Sequence, residues 1–331
     1  MTESVPVVEP FLCARFIKEI GRGPHGARAL SAEDTRSLYS AMLEGRVSDL
    51  ELGAVLLAYR LKGETADELA AMLGAAQASI EPIRTSGAVS IPSYNGARKQ
   101  PNLVPLLALL LAREGVPTLV HGVTEDPGRV TSAEIFACLG IKAAASHADI
   151  EQGLSERRLA FAPVEVLAPK LARLLALRRI MGVRNSTHTL IKILQPFAPA
   201  GLRLVNYTHP SYRDSLAELF TGHPEAAAGG ALLARGTEGE AVADTRRQVQ
   251  IDWLHDGIME TLVAPERAPG DEPPPELPAA RDAATTARWI ESVLQGKASV
   301  PPTLARQVDE IAAIARRGAT SRGADPDRNG G

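Results

Sequence analysis

"LSAEDTRSLYSAMLEGRVSDLELGAVLLAYRLKGETADELAAML", residues 30–73, decides the fold because it punctuates itself three times. Ser31 stands before an apolar-periodic run with Glu33 and Asp34 in its first turn, and Gly45 closes the run. Ser48 opens a second run that stops at Gly63. Thr65 opens a third, and Glu68 three residues on completes a capping box. The spacing predicts three short antiparallel helices. Upstream, "ARFIKEIGRG" predicts another, with Phe16, Ile17 and Ile20 apolar and glycines at 21 and 23 ending it. Its cations Arg15, Lys18 and Arg22 fall at i, i+3 and i+7, on one helix face.

Beyond residue 80 the pattern changes. "GAVSIPSY", "PTLVHGV", "LAFAPVEVL", "LRLVNYTH", "AALLARGTEGE" and "QVQIDWL" read as strands. Helices are predicted over 103–114, 131–141, 167–194, 210–222, 285–296 and 302–317. Strands alternating with helices argue for a covered, mostly parallel sheet. The expected fold class is α/β, with a small N-terminal helical domain and a larger α/β domain. Residues 10–80 form the helical domain, with helices from about 167–196 packing onto it. Residues 81–166 and 197–317 form the α/β domain, the Pro-rich 264–280 a loop or linker, and 318–331 a disordered tail.

Aromatic residues make up only 4% of the 331, so the core must be built of Leu, Ala, Val and Ile. Two cysteines, Cys13 and Cys138, offer neither a disulfide framework nor a metal spacing, which points to a reducing compartment. The start "MTESVPVVEP" has no basic stretch followed by an apolar core, and Leu103–Ala112 is half a membrane span. A cytoplasmic protein with no membrane partner is expected.

The net charge of −3 hides a strong segregation. From Pro82 to Arg113 there are four cations and no acid: Arg84, Arg98, Lys99 and Arg113. From Val166 to Arg213 there are eight cations and again no acid. Within 15–28, Arg15, Lys18, Arg22 and Arg28 meet only Glu19. Such segregation can build a positive surface on an acidic protein. Equally, the cations can be scattered in space and paired with acids from other segments. His121, His188 and His209 are isolated. Glu125 and Asp126 read as loop residues rather than a metal pair.

The order of segments resembles anthranilate phosphoribosyltransferases and the related class II nucleoside phosphorylases. Residues 30–73 resemble their helical domain. "LVHGVTEDPGRV" sits where they carry a Lys-His-Gly-Asn strand end, and "RRIMGVRNSTHTLIKILQP" resembles their Arg-x-x-Leu-Gly-x-Arg-Thr segment. Three of the family's motifs are altered here. Its pyrophosphate-binding Gly-Thr-Gly-Gly-Asp loop falls on Pro92-Ser93-Tyr94-Asn95-Gly96, where Pro92 lacks an N–H and Tyr94 adds bulk. Its magnesium-holding Asp-Glu pair falls on Ala241-Val242, which offer no oxygen ligands. Glu238 and Glu240 lie close enough in sequence to substitute. Its Gly-Pro-Leu-x-Asn-Pro turn keeps only Pro196. Arg179 and Arg184 fall on the family's two substrate-side arginines and remain able to bind anions.

A narrower group, the YbiB-type proteins of this fold, is similar in "IKEIGRG", "IPSYNGARKQPNL", "VHGVTEDPGRV", "MGVRNSTHTL" and "RGTEGE". That resemblance implies a homodimer that binds DNA and/or RNA without sequence preference, without the parent transferase activity, and in connection with DNA-damage responses; no cofactor or metal is expected. The candidate contacts are Arg15, Lys18, Arg22 and Arg28; Asn95, Arg98 and Lys99 on an exposed Asn-Gly turn; and Arg178, Arg179, Arg184 and Asn185. Tyr94 could stack on a base or anchor its loop. An active phosphoribosyltransferase or phosphorylase remains the alternative.

Overall fold

The computed structural model describes residues 9–23, 25–266 and 276–320, with side chains up to 317. The chain divides into two compact units, Met1–Ile80 with Ala168–Leu194, and Glu81–Leu167 with Gln195–Gly331.

The first unit is all helix. It holds α1 (Ala14–Ile20), α2 (Ala32–Glu44), α3 (Asp49–Lys62) and α4 (Ala66–Ala78). The caps form as their residues dictate. Ser31, Ser48 and Thr65 each accept a backbone N–H at the third helical position, and Gly45 ends α2 with φ 76°. Each such cap stabilises by about 1 kcal/mol. Glu68 does more than close the Thr65 box. Its buried carboxylate accepts the Leu30 N–H at 3.0 Å, the Thr65 N–H at 2.9 Å and the Lys62 ammonium at 2.6 Å. One side chain thus ties the entry to α2, the end of α3 and the start of α4.

The segment expected as one helical stretch, 167–194, divides into three helices in this unit: α9 (Pro169–Ala176), α10 (Arg178–Met181) and α11 (Thr187–Ile193). Gly182, at φ 73°, stops α10. α9 packs against α2 and α11 against α4, while α10 sits against α9. The Tyr39 hydroxyl meets Thr187 Oγ1 at 2.9 Å, and the Arg173 guanidinium donates to the Met42 carbonyl.

The second unit is a seven-stranded sheet in the order β3-β2-β1-β4-β5-β6-β7. Strands β1 (Val89–Ser93), β2 (Thr118–Gly122), β3 (Leu159–Pro163), β4 (Leu202–Tyr207) and β5 (Ala231–Arg235) are parallel. β6 (Ile251–His255) and β7 (Ile258–Val263) run antiparallel at one edge. Helices α5 (Val104–Arg113), α6 (Ser132–Cys138), α13 (Ala283–Leu294) and α14 (Pro302–Thr320) share one core with the sheet, around Val89, Leu107, Val120, Phe161, Leu204, Ile290 and Ile311. The remaining helices are α7 (His147–Arg157), α8 (Val164–Leu167) and α12 (Pro210–Gly222). β1 and β2 are buried along their whole length, as strands in a sheet covered on both faces are, polar Ser90, Ser93, Thr118 and His121 included.

Several boundaries differ from the sequence reading. "LAFAPVEVL" is a strand only to Pro163 and then turns as α8. α7 and β7 were not expected. β7 is announced by Asp256-Gly257, both at positive φ, which turn the chain back from β6. Of the tail expected to be disordered, 318–320 continue α14, and the rest lies outside the described residues. So do residues 1–8, where the absence of a leader was read, and 267–275 of the Pro-rich linker. Among the described residues, no helix is long and apolar enough to cross a membrane.

Candidate functional site

The loop after β1 is where the resemblance places a pyrophosphate cradle, and its geometry is unlike one. Pro92 lies within β1 opposite His121, beyond Ser90, where the pairing with β4 ends. Its missing N–H therefore falls where one neighbouring strand has already left. Tyr94 is buried, with its hydroxyl 2.8 Å from His121 Nδ1. It anchors the loop and has no face to offer a base. Burial raises the Tyr94 phenol well above its usual range and pushes the His121 imidazole down to about 3, so both are neutral at physiological pH. Gly122 is required by the strand crossing itself: a Cβ there would sit 1.7 Å from the Ser93 carbonyl oxygen.

The Asn95-Gly96 turn, expected to be exposed, is buried. Its two N–H groups both donate to Glu240 Oε1 at 2.7 Å. The next N–H groups, of Arg98, Lys99 and Gln100, donate to the Glu238 carboxylate at 2.9, 2.7 and 2.7 Å. Five main-chain donors of the loop thus end on two carboxylates of this same chain. Converging N–H groups of this kind form a nest that suits an anion, and here the anion is built in. The segment carrying the carboxylates is shaped for the purpose. Glu238 sits at φ 53°, and Gly239 at φ 88° brings its carbonyl to the Asn95 and Asn206 amides at 2.6 and 2.7 Å. A Cβ on Gly239 would lie 2.4 Å from the Asn95 amide nitrogen. Arg129 and Arg281 hold the loop from its carbonyl side, at Gly96 and Arg98, at 3.1 and 2.8 Å.

These contacts correct the expectation of an exposed Asn-Gly turn. Asn95 is a structural residue whose amide and N–H are committed. Glu238 and Glu240, the carboxylates nearest in sequence to the family's magnesium pair, are both acceptors for the loop. Ala241 and Val242 beside them are buried and apolar. The residues present do not fit the family's magnesium. Among the described residues, no group of three or more His, Cys, Asp or Glu could hold a metal ion. Arg98 and Lys99, by contrast, keep exposed side chains that make no hydrogen bond or ion pair among the described residues.

In the helical unit the cations have sorted themselves. Arg15 pairs with Asp34 at 3.1 Å and lies over the Phe16 ring, and Arg22 pairs with Glu19 at 2.7 Å. The acidic partner missing from the local sequence of Arg15 comes from α2. Both pairs are exposed and worth about 0–1 kcal/mol each, so neither arginine is immobilised. Lys18 and Arg28 are exposed. Arg178 and Arg179 are exposed on α10 with no ion pair among the described residues. Arg184 is exposed nearby. Their field registers on His188, pushed down to about 4 by burial first and then by Arg184, Arg178 and Lys192. Asn185 is buried and structural: its amide donates to the Leu174 carbonyl at 3.1 Å, and its Oδ1 accepts the Thr187 N–H at 3.0 Å. Its Oδ1 closes the turn into α11.

The role of Glu238 and Glu240 as acceptors for the loop after β1 is not read from the sequence. The signal available was two acids flanking a glycine in a loop after a parallel strand.

Comparison with known proteins bears on the fold and the family. Residues 14–80 match the family described as the helical bundle domain of the glycosyl transferase family. The protein YbiB of Escherichia coli (strain K12) is 43% identical over 299 residues, covering 89% of this chain and 91% of that protein. The anthranilate phosphoribosyltransferase of Rhizobium meliloti (strain 1021) is 31% identical over 196 residues, 58% of this chain and 57% of that enzyme. Among solved structures, the anthranilate phosphoribosyltransferase of Thermus thermophilus superposes with a TM-score of 0.69 at 23% identity, covering 92% of this chain and 89% of that one. The Saccharomyces cerevisiae enzyme in complex with PRPP and Mg gives 0.68 at 14% identity, with 93% of each chain covered. Likeness at that identity speaks for the fold. The chain belongs to the YbiB family, on the glycosyl transferase family 3, anthranilate phosphoribosyltransferase-like fold.

Proposed function

We propose that this protein binds nucleic acid, DNA and/or RNA, through phosphate contacts and without reading sequence, and that it lacks the transferase activity of its structural relatives. The observation that carries the reading is the state of the loop after β1. Its five N–H groups are spent on Glu238 and Glu240, while the Arg98 and Lys99 side chains stay exposed and unpaired among the described residues. A small pyrophosphate loses its cradle, whereas a polyanion needs only side-chain cations. Arg178 and Arg179 add exposed charge on the helical unit.

Four such cations neutralising about four phosphates give a slope of log K against log salt of about −3.6 on duplex DNA. A salt-titrated binding assay with DNA and RNA, single and double stranded, tests this. Similar affinities across sequences and a steep salt dependence are expected; salt-independent or absent binding overturns the reading. Calorimetry with phosphoribosyl pyrophosphate and magnesium is expected to show no binding. Saturable binding followed by turnover with anthranilate would establish the transferase instead.

The same reading includes a homodimer. Leu50, Leu57 and Leu61 lie along one face of α3 and are 86%, 44% and 78% exposed, an apolar stripe that a second copy would cover. Sedimentation should give twice the chain mass, and Leu57→Lys should halve it. A part in DNA-damage responses rests on the family resemblance alone. It is tested by survival of a strain lacking the gene after DNA damage, and unchanged survival removes it.

A further inference from the structure

The parallel strands β4 and β5 end together: Tyr207 and Arg235 are their last residues and are register partners. The Gly236 N–H donates to the Tyr207 carbonyl at 2.9 Å and fixes the two ends side by side. In open α/β sheets the ligand crevice lies beyond the carboxyl ends of the strands. Beyond these two ends is a cleft of about 510 Å³, bordered by Tyr207, Arg235, Arg247, Gln248, Gln250 and Glu266. That volume is in the range of small-ligand sites.

Its chemistry is uneven in a useful way. Arg235 is exposed, and its guanidinium makes no hydrogen bond or ion pair among the described residues. Arg247 leans on Asp244 at 3.4 Å but keeps 48% of its side chain exposed. Tyr207 is half-buried, one of few aromatics in a chain that has only five tyrosines. Glu266 lines the same cleft, its N–H donating to the Gln248 carbonyl at 3.1 Å. An anion is therefore drawn to the Arg235 side and repelled from the Glu266 side. A ring paired with an unpartnered guanidinium suits a flat heterocycle carrying a phosphate.

We propose that the Tyr207–Arg235 cleft seats one unstacked nucleotide of a bound strand, its base against the Tyr207 ring and its phosphate on Arg235, so that the protein prefers single strands over duplexes. This rests on the nucleic-acid reading above. A duplex can fill the cleft only by unpairing a base, which costs free energy that a single strand does not have to spend. None of the cations considered earlier supplies such a preference, because phosphate contacts respond to charge density, which is higher on a duplex, and not to an unpaired base.

The test is fluorescence anisotropy of the full chain with a labelled single-stranded DNA and a duplex of equal length, across salt. Tyr207→Leu should weaken the single strand about 5- to 150-fold, the range for loss of one base–aromatic stack, and leave the duplex unchanged. Tyr207→Phe keeps the ring and should keep the affinity. Arg235→Gln, at an exposed position that leaves folding intact, should reduce the single-strand salt slope by about 0.7. If Tyr207→Leu weakens both forms equally or neither, or if Arg235→Gln leaves the slope as it was, the proposal is overturned while nucleic-acid binding stands. If the unaltered protein binds neither form, both fall. Should Tyr207→Leu fail to fold, the Arg235→Gln slope decides.

Discussion

Consider Glu240→Ala. The carboxylate is 1% exposed, and its Oε1 takes the N–H groups of Asn95 and Gly96 at 2.7 Å each. A hydrogen bond to a charged group contributes about 1.5–3 kcal/mol, so two contribute about 3–6 kcal/mol. Truncation also recovers the cost of keeping a carboxylate out of water, which lowers the expected loss to about 3–4 kcal/mol. Two buried N–H groups lose their acceptor. Urea unfolding followed by tryptophan fluorescence reads this directly. The chain has two tryptophans, Trp253 on β6 and Trp289 on α13, both in the α/β unit. The helical unit is silent in that signal, which matters because two units need not unfold together. With an m-value of about 3 kcal/mol/M, the midpoint should fall by roughly 1 M. A fall of less than about a third of that would refute the assignment of Glu240 as the loop's internal anion.

Three further outcomes are expected. Glu238→Ala releases the N–H groups of Arg98, Lys99 and Gln100 at a half-exposed position, so it should cost only about 1 kcal/mol, and the variant should gain a saturable inorganic phosphate site that the unaltered protein lacks in calorimetry. Glu68→Ala breaks a buried pair with Lys62 and two caps at once; about 3–5 kcal/mol should be lost, seen as faster hydrogen exchange across α2, α3 and α4 with the tryptophan signal unmoved. His121, held down to about 3 by burial, is neutral in the fold while the unfolded chain protonates near 6.5. Its contribution is therefore lost as pH falls from about 6.5 toward 3, with a slope approaching about 1.4 kcal/mol per pH unit, and His121→Gln should flatten the melting temperature over that window.

Local chemistry was legible in the sequence because its partners are close along the chain. Ser31, Ser48, Thr65 and Thr131 cap the helices they precede, since a cap reaches only three residues. The parallel core strands were legible as short, mostly apolar segments alternating with helical ones. Contacts that close over long loops were not. Nothing near Asn95 announces that its donors meet a carboxylate 145 residues away, nor does α1 announce Asp34 as the partner of Arg15. An Asn-Gly pair normally signals a solvated turn, and here tertiary contacts have buried it. β7 escaped because four of its six residues are exposed, leaving no clean alternation to read.

The two internal carboxylates bear on movement as well as on binding. Main-chain N–H groups hold a phosphate at one distance and one angle, and a strand gripped by five of them would be locked in register. In this loop those directional donors are already used, and what remains outside is Arg98 and Lys99, charges on long, rotatable stems. Such groups can pass from one phosphate to the next without any being lost in between. On the nucleic-acid reading proposed above, a polymer held that way would stay near the protein yet travel along it, so the glutamates that take up the loop's directional donors would also keep the energy landscape smooth for a long ligand.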